Sequence, residues 1–128
     1  MKLLHIADLH IGKRVNEFNM IEDQKYILEQ ILRTAGEVKP DGLLIAGDVY
    51  DKSQPSAEAV ELLDEFLTEL ASSGRPVFMI SGNHGSPERL GFGSRIMQKN
   101  GLHIAGVFGG GLQKRVLQDE YGPLNIYL

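Results

Sequence analysis

Apolar residues in this chain fall into short runs separated by longer amphipathic stretches. Leu3 to Ala7 reads LLHIA and breaks at Asp8, the pattern of a buried strand running into a polar loop. From Phe18 to Val38, apolar positions recur at Ile21, Leu28, Ile31, Leu32, Ala35 and Val38, which predicts a helix with one packing face, stopped by Pro40. Gly42 to Ala46 is a continuous apolar run of the kind found in parallel strands covered on both faces, and it too ends in a polar loop, GDVYDKSQPS. A second helix is expected over 56–73, because Ser56 is a good N-cap, Glu58 and Glu61 lie near the positive helix end, and Gly74 and Pro76 mark the stop. Its apolar positions, Ala59, Val60, Leu62, Leu63, Phe66, Leu67 and Leu70, form a stripe wider than one packing face needs, so part of it is expected to cover a partner.

Pro76 to Ile80 reads as a third strand ending in SGNHGS, and a short helix near Ser94 to Lys99 leads to a fourth, Leu102 to Val107. Strand and helix alternate, which predicts an α/β fold with a largely parallel sheet and flanking helices. Beyond the glycines Gly109 to Gly111, read as a plain turn, Lys114 to Leu117 and Leu124 to Leu128 predict a hairpin around a turn containing Gly122 and Pro123. The closing run LNIYL has no polar tail and would leave an unfinished sheet edge, so residues 1–128 are expected to be the N-terminal part of a larger domain.

Composition narrows the function. With 128 residues and 42% hydrophobic content there is material for one core. Cysteine is absent, which excludes a disulfide framework and a thiolate zinc site and suits the cytoplasm. No apolar run approaches the roughly 20 residues a membrane helix needs. The net charge of −4 argues against a chain that grips nucleic acid by its own surface alone, an objection that weakens if bound metal ions supply positive charge.

Three of the predicted strands end in loops rich in metal-binding groups: Asp8 and His10 in ADLH, Asp48 in AGDVYD, and Asn83 and His84 in SGNH. The carboxyl ends of parallel strands converge on one crevice. Oxygen donors mixed with imidazole suit manganese, iron or zinc better than calcium or magnesium alone. A lone Asp at a strand end is usually a turn former and a lone His usually packs. Three such groups in order, each directly after a strand, point to a metal site.

The ordered set D-x-H, G-D-x-x-D and G-N-H resembles the calcineurin-like metallophosphoesterase superfamily, whose fold is an αββα sandwich. The resemblance implies that Asp8 and His10 hold a first metal, that Asp48 bridges to a second, that Asn83 ligates the second, and that His84 protonates or stabilises the leaving oxygen. Two ions about 3.5 to 4 Å apart can clamp a phosphate and make water a nucleophile near neutral pH. Within the superfamily, AGDVYDKSQPS and SGNHGSPERLGFGSRIM look most like the SbcD type of nuclease. That likeness implies a manganese-dependent exonuclease and hairpin endonuclease of DNA repair and recombination, a homodimer working with an SbcC-like ATPase on DNA. The same ligands would also serve a phosphoesterase acting on nucleotides or phosphoproteins, and an inactive partner-binding piece is a third reading.

The chain departs from the family twice. The family adds a further histidine and an H-x-H pair in the second half of the domain, whereas the histidines left here, His5 and His103, lie inside apolar strands and read as packing residues. Gly85 stands where an acidic residue usually follows G-N-H, which predicts that His84 lacks an orienting carboxylate. Arg14 and Arg89 are candidate substrate-binding cations beside the crevice, as are Lys13 and Arg95, while Tyr50 and Asp51 are candidate supports for Asp48.

Overall fold

A computed structural model describes residues 1–128. Four strands, β1 (Leu3–Ala7), β4 (Gly42–Ala46), β5 (Val77–Ile80) and β6 (Leu102–Ala105), form a parallel sheet in that spatial order. Their register places Leu3 opposite Gly42, Leu43 opposite Val77 and Val77 opposite Leu102. Each strand neighbours the next in sequence, so right-handed crossovers put the connecting helices on one face. Helices α1 (Ile21–Val38) and α2 (Ala57–Ser72) cover that face, where Leu43, Ile45, Val77, Met79, Leu102 and Ile104 are buried with Leu28, Leu63 and Phe66.

The other face, carrying His5, Leu44, Phe78 and His103 in register, is only partly covered. His5 on β1 is exposed, which corrects its reading as a packing residue, whereas β4, expected to be covered on both faces, has no exposed residue. His103 does pack, stacked on Phe78 with ring centroids 5.1 Å apart.

Ser56 caps α2 as expected, accepting from the Ala59 N–H at 3.2 Å. The wide apolar stripe does not face a partner. Ala59, Leu62, Leu63, Phe66, Leu67 and Leu70 are all buried inside the monomer, between α1, the sheet and the segment after β5, and Val60 alone of the stripe is exposed. The first helix begins at Ile21, not Phe18, because Phe18–Asn19 (β3) pairs with Arg14–Val15 (β2) across Asn16 and Glu17, both in left-handed conformation. Asn19 then accepts from the Ile21 N–H at 3.0 Å and starts the helix. A further short helix, α3 (Pro87–Gly91), precedes α4 (Ser94–Gln98). Ser86 as N-cap and Pro87 in the first turn were its signals in the sequence.

Strands β7 (Lys114–Asp119) and β8 (Gly122–Tyr127) form the expected hairpin, but its turn is Glu120–Tyr121 and Pro123 lies within β8. Asp119 accepts from the Tyr121 N–H at 2.9 Å, a local bond that tightens the turn before the proline. Arg115 anchors the hairpin to the sheet, donating from Nε to His103 Nδ1 at 3.0 Å. Burial, and secondarily the Arg115 charge, hold the His103 pKa below its ordinary value. The unfolded chain therefore binds more protons just below that ordinary value, about 6.5, and the contribution of this contact is lost as pH falls through the lower folded pKa. Thermal unfolding followed from neutral to mildly acidic pH should show a pH-dependent loss that His103→Gln diminishes, since a neutral amide oxygen still accepts from Arg115. An identical pH profile in that variant would contradict this reading.

Candidate metal centre

The loops after β1, β4 and β5 lie side by side because those strands are adjacent in the sheet. Parallel pairing continues past the strand ends: the N–H groups of Asp8, His10 and Ile11 donate to the carbonyls of Ala46, Asp48 and Val49 at 3.2, 2.8 and 2.9 Å. This brings His10 beside Asp48. Gln24 of α1 secures the first loop, accepting from the Gly12 N–H at 2.9 Å and donating to the His10 carbonyl at 2.8 Å. It is a polar residue in the otherwise apolar series Ile21, Gln24, Leu28, and that interruption was the sequence signal for its role.

Asp48 is the hub. It is 8% exposed, and its Oδ1 accepts from the His84 backbone N–H at 2.9 Å while its Oδ2 lies 2.8 Å from His84 Nδ1. With its amide nitrogen turned inward, Asn83 donates to the same two oxygens at 3.2 and 3.0 Å. The His84 backbone N–H, then its imidazole, hold the Asp48 carboxyl below the usual carboxylate range, so it is an anion at neutral pH. His10 and His84 meet edge to face with ring centroids 5.2 Å apart. His10, Asp48 and His84 each offer a ligand atom, all within 4.8 Å of one another.

His10 Nδ1 lies 3.1 Å from Asp51 Oδ1, and its Nε2 lies 3.7 Å from Asp48 Oδ2. A carboxylate only accepts, so we assign the proton to Nδ1, which leaves the Nε2 lone pair facing the hub. Asp51 thus supports His10, not Asp48 as the sequence suggested. A carboxylate behind a metal-binding imidazole fixes its tautomer and raises its basicity.

The backbone conforms to this arrangement. Asp8, His10 and Asp48 all have positive φ, at 54°, 45° and 25°, an uncommon state that concentrates at functional sites. Gly82 passes so close to Asp48 that a Cβ there would lie 2.1 Å from Oδ1 and 2.2 Å from the backbone nitrogen.

Not every predicted residue joins the cluster. Asp8 is exposed at the rim, its Oδ1 facing Gly47, outside the trio of His10, Asp48 and His84. Arg14, on β2, lines one cavity with Lys52, and Arg89, on α3, lines another with Tyr50 and Phe92. Tyr50 is tied to the first loop by pairing with Ile11 and does not touch the carboxylate of Asp48 by any hydrogen bond. Gly85 supplies no carboxylate to His84, but the expectation that the ring lacks an orienting carboxylate is corrected, because the carboxylate of Asp48 holds its Nδ1 at 2.8 Å. A Cβ at Gly85 would meet nothing within 4 Å. Gly85→Asp should therefore leave stability within about 0.5 kcal/mol and change phosphodiester turnover by less than about tenfold, the lower end of the effect of a lost outer partner. A larger gain would show that Asp48 does not suffice to orient His84.

The sequence matches the calcineurin-like phosphoesterase family over residues 1–123. The chain belongs to that family. Among curated proteins it is 47% identical over 105 residues to the SbcD component of the nuclease SbcCD from Staphylococcus epidermidis and 40% identical over 105 residues to the same component from Staphylococcus saprophyticus. Each comparison covers 81% of this chain and 28% of the relative, so the chain spans well under a third of the curated relatives it matches. An α/β family member with divalent-metal chemistry accounts for a histidine and aspartate cluster at the ends of parallel strands. No helix is long and apolar enough to cross a membrane.

Proposed function

We propose that residues 1–128 form the N-terminal part of a metal-dependent nuclease domain that hydrolyses DNA phosphodiesters in the cytoplasm. The observation that carries this reading is the convergence of His10, Asp48 and His84 at the ends of three adjacent strands, in a chain closely similar to components of nucleases. The donor set fits divalent ions. Asp48 is an anion on which several hydrogen-bond donors converge, and Asp51 leaves a free lone pair on His10. Divalent ions, manganese by preference for mixed oxygen and nitrogen donors, would polarise the phosphate and lower the pKa of water. Asp8, His10, Asp48 and Asn83 would hold them. His84, whose side chain is 56% exposed, can turn its Nε2 toward a leaving oxygen while Nδ1 is steadied by Asp48. The likeness also supports a homodimer working with an SbcC-like ATPase. The exposed side chains of Val60, Phe92 and Ile96 suit self-association better than the buried α2 stripe.

Calorimetry with manganese and hydrolysis of bis(p-nitrophenyl) phosphate and of blunt duplex DNA test the reading in the protein that carries this chain. Manganese-dependent cleavage of both substrates is expected. Cleavage of the small diester with duplex ends left intact would favour a nucleotide or phosphoprotein phosphoesterase, and no hydrolysis at all would overturn the enzymatic reading. Residues 1–128 alone should bind manganese weakly, because these side chains offer too few donors for two ions of five or six coordination. Tight binding of two ions by this chain alone would contradict that expectation.

A further inference from the structure

Three residues of the loop after β1, Asp8, His10 and Gly12, have positive φ, which aspartate and histidine keep only where their surroundings hold them. One hold is the loop after β4, through the backbone bonds to Ala46, Asp48 and Val49. The second comes from α1. Gln24 is half-buried and rooted in that helix, its own N–H donating to the Met20 carbonyl at 2.9 Å. Its side-chain amide engages three backbone groups at once: Oε1 accepts from the Gly12 N–H at 2.9 Å, and Nε2 donates to the carbonyls of His10 at 2.8 Å and Leu9 at 3.4 Å. The Gly12 N–H has no other partner. This task needs a donor and an acceptor on one planar group. A carboxylate cannot donate, an ammonium cannot accept, and a reversed amide would set its NH₂ against the Gly12 N–H and its oxygen against two carbonyls.

We infer that Gln24 is a positioning residue of the metal centre: its amide fixes the main chain of His10, and with it the place of the imidazole beside Asp48, without touching metal or substrate. The inference rests on the proposed metal-dependent reading and extends the site to a residue of α1 that none of the strand-end motifs contains. The loop it holds carries two parts of the centre. One is His10 itself, whose Nε2 lies 3.7 Å from Asp48 Oδ2. The other is the support of that ring, because the Ile11 carbonyl accepts from the Asp51 N–H at 3.1 Å and Asp51 Oδ1 lies 3.1 Å from His10 Nδ1. Starting the helix does not explain these bonds, since Asn19 already does that by accepting from the Ile21 N–H.

Gln24→Leu and Gln24→Glu are compared with Gln30→Leu and the unsubstituted protein, all in the protein that carries this chain. Leucine and glutamate match glutamine in helix propensity, so α1 stands in each variant. Leucine removes all three bonds, whereas glutamate keeps an acceptor for Gly12 but sets an anion against two carbonyls. Gln30 lies on the same helix and makes no side-chain bond to the loop. Nitrogen chemical shifts of the His10 and His84 rings are measured without metal, and manganese affinity by calorimetry. Both Gln24 variants should move the His10 signals more than those of His84 and lower manganese affinity by at least about tenfold, the lower end of the effect of losing a partner behind a ligand. Gln30→Leu should change neither. Unchanged His10 signals or an unchanged manganese affinity in both Gln24 variants would overturn the inference, even with a lower melting temperature, since Gln24 would then only brace the fold. Should Gln24→Leu fail to fold, Gln24→Glu, which has the shape of glutamine, decides it. Absence of manganese binding by the unsubstituted protein would instead overturn the metal-dependent reading, and the ring signals, read without metal, would still decide whether Gln24 places His10.

Discussion

Gly82→Ala should deprive this protein of its metal affinity while leaving most of the fold standing. A Cβ at residue 82 would lie 2.1 Å from Asp48 Oδ1, 2.7 Å from its Cγ and 2.2 Å from its backbone nitrogen. Rotation of the Asp48 side chain could relieve the first two overlaps but not the third, which is with the main chain. The loop after β5 must therefore move away from the loop after β4, carrying Asn83 and His84 with it. Overpacking of this kind typically costs about 1–3 kcal/mol. Metal affinity should fall by about 10–100-fold or more, since displacing even an outer partner has that effect. Gly85→Ala is the control, because nothing lies within 4 Å of its Cβ position. Manganese titration by calorimetry, with thermal unfolding alongside, separates the two variants. Equal manganese affinity in Gly82→Ala and the unsubstituted protein would show that the close approach of these loops does not build the site.

The same glycine shows what could be read from the sequence and what could not. Strand ends announce themselves, because an apolar run that stops at Asp8, Gly47 or Ser81 leaves little choice about where the loop begins. The sheet, both long helices and the Ser56 cap were legible for that reason, as was the convergence of the three strand-end loops. The motifs, however, gave His84 the leaving oxygen and placed Asp8 and Asn83 among the ligands, whereas the structure groups His10, Asp48 and His84. Contacts between loops were not legible. Nothing in the one-dimensional pattern shows that Asp51 turns back to His10, that Asp48 occupies both the ring and the backbone of His84, or that Gly82 must lack a side chain. These follow from the order β1, β4, β5 in the sheet, which sets three loops side by side at strand spacing. The misjudged α2 stripe has a related origin. Periodicity counts apolar positions but not their neighbours, and α2 meets α1 on one side and the region of Leu90 and Met97 on the other. A helix seated between two neighbours needs a wider apolar arc than one lying on a sheet alone.

Asp48→Asn should be the most damaging single substitution in the cluster, although it changes shape least. Both oxygens of Asp48 accept hydrogen bonds: Oδ1 from the His84 backbone N–H, Oδ2 from the His84 ring, and each of them from the Asn83 amide. Asparagine supplies one acceptor and one donor. If its NH₂ takes the place of Oδ1 it faces the His84 backbone N–H, donor against donor. If it takes the place of Oδ2 it faces Asn83, and the His84 ring must give up its Nδ1 proton to accept. Either arrangement turns or releases His84, and both remove the negative charge from the residue that would bridge two cations. The loss of manganese affinity should exceed the roughly 10–100-fold typical of an outer partner, with phosphodiester hydrolysis falling in parallel. Asp51→Asn, which perturbs only the group behind His10, should stay within that range. The two variants are distinguished by manganese calorimetry and by the nitrogen chemical shifts of the His10 and His84 rings. Asp48→Asn should move both, and Asp51→Asn mainly that of His10. If Asp48→Asn kept the manganese affinity of the unsubstituted protein, Asp48 would be only the tether of His84, and the ions would have to be held by Asp8, His10 and Asn83 without it.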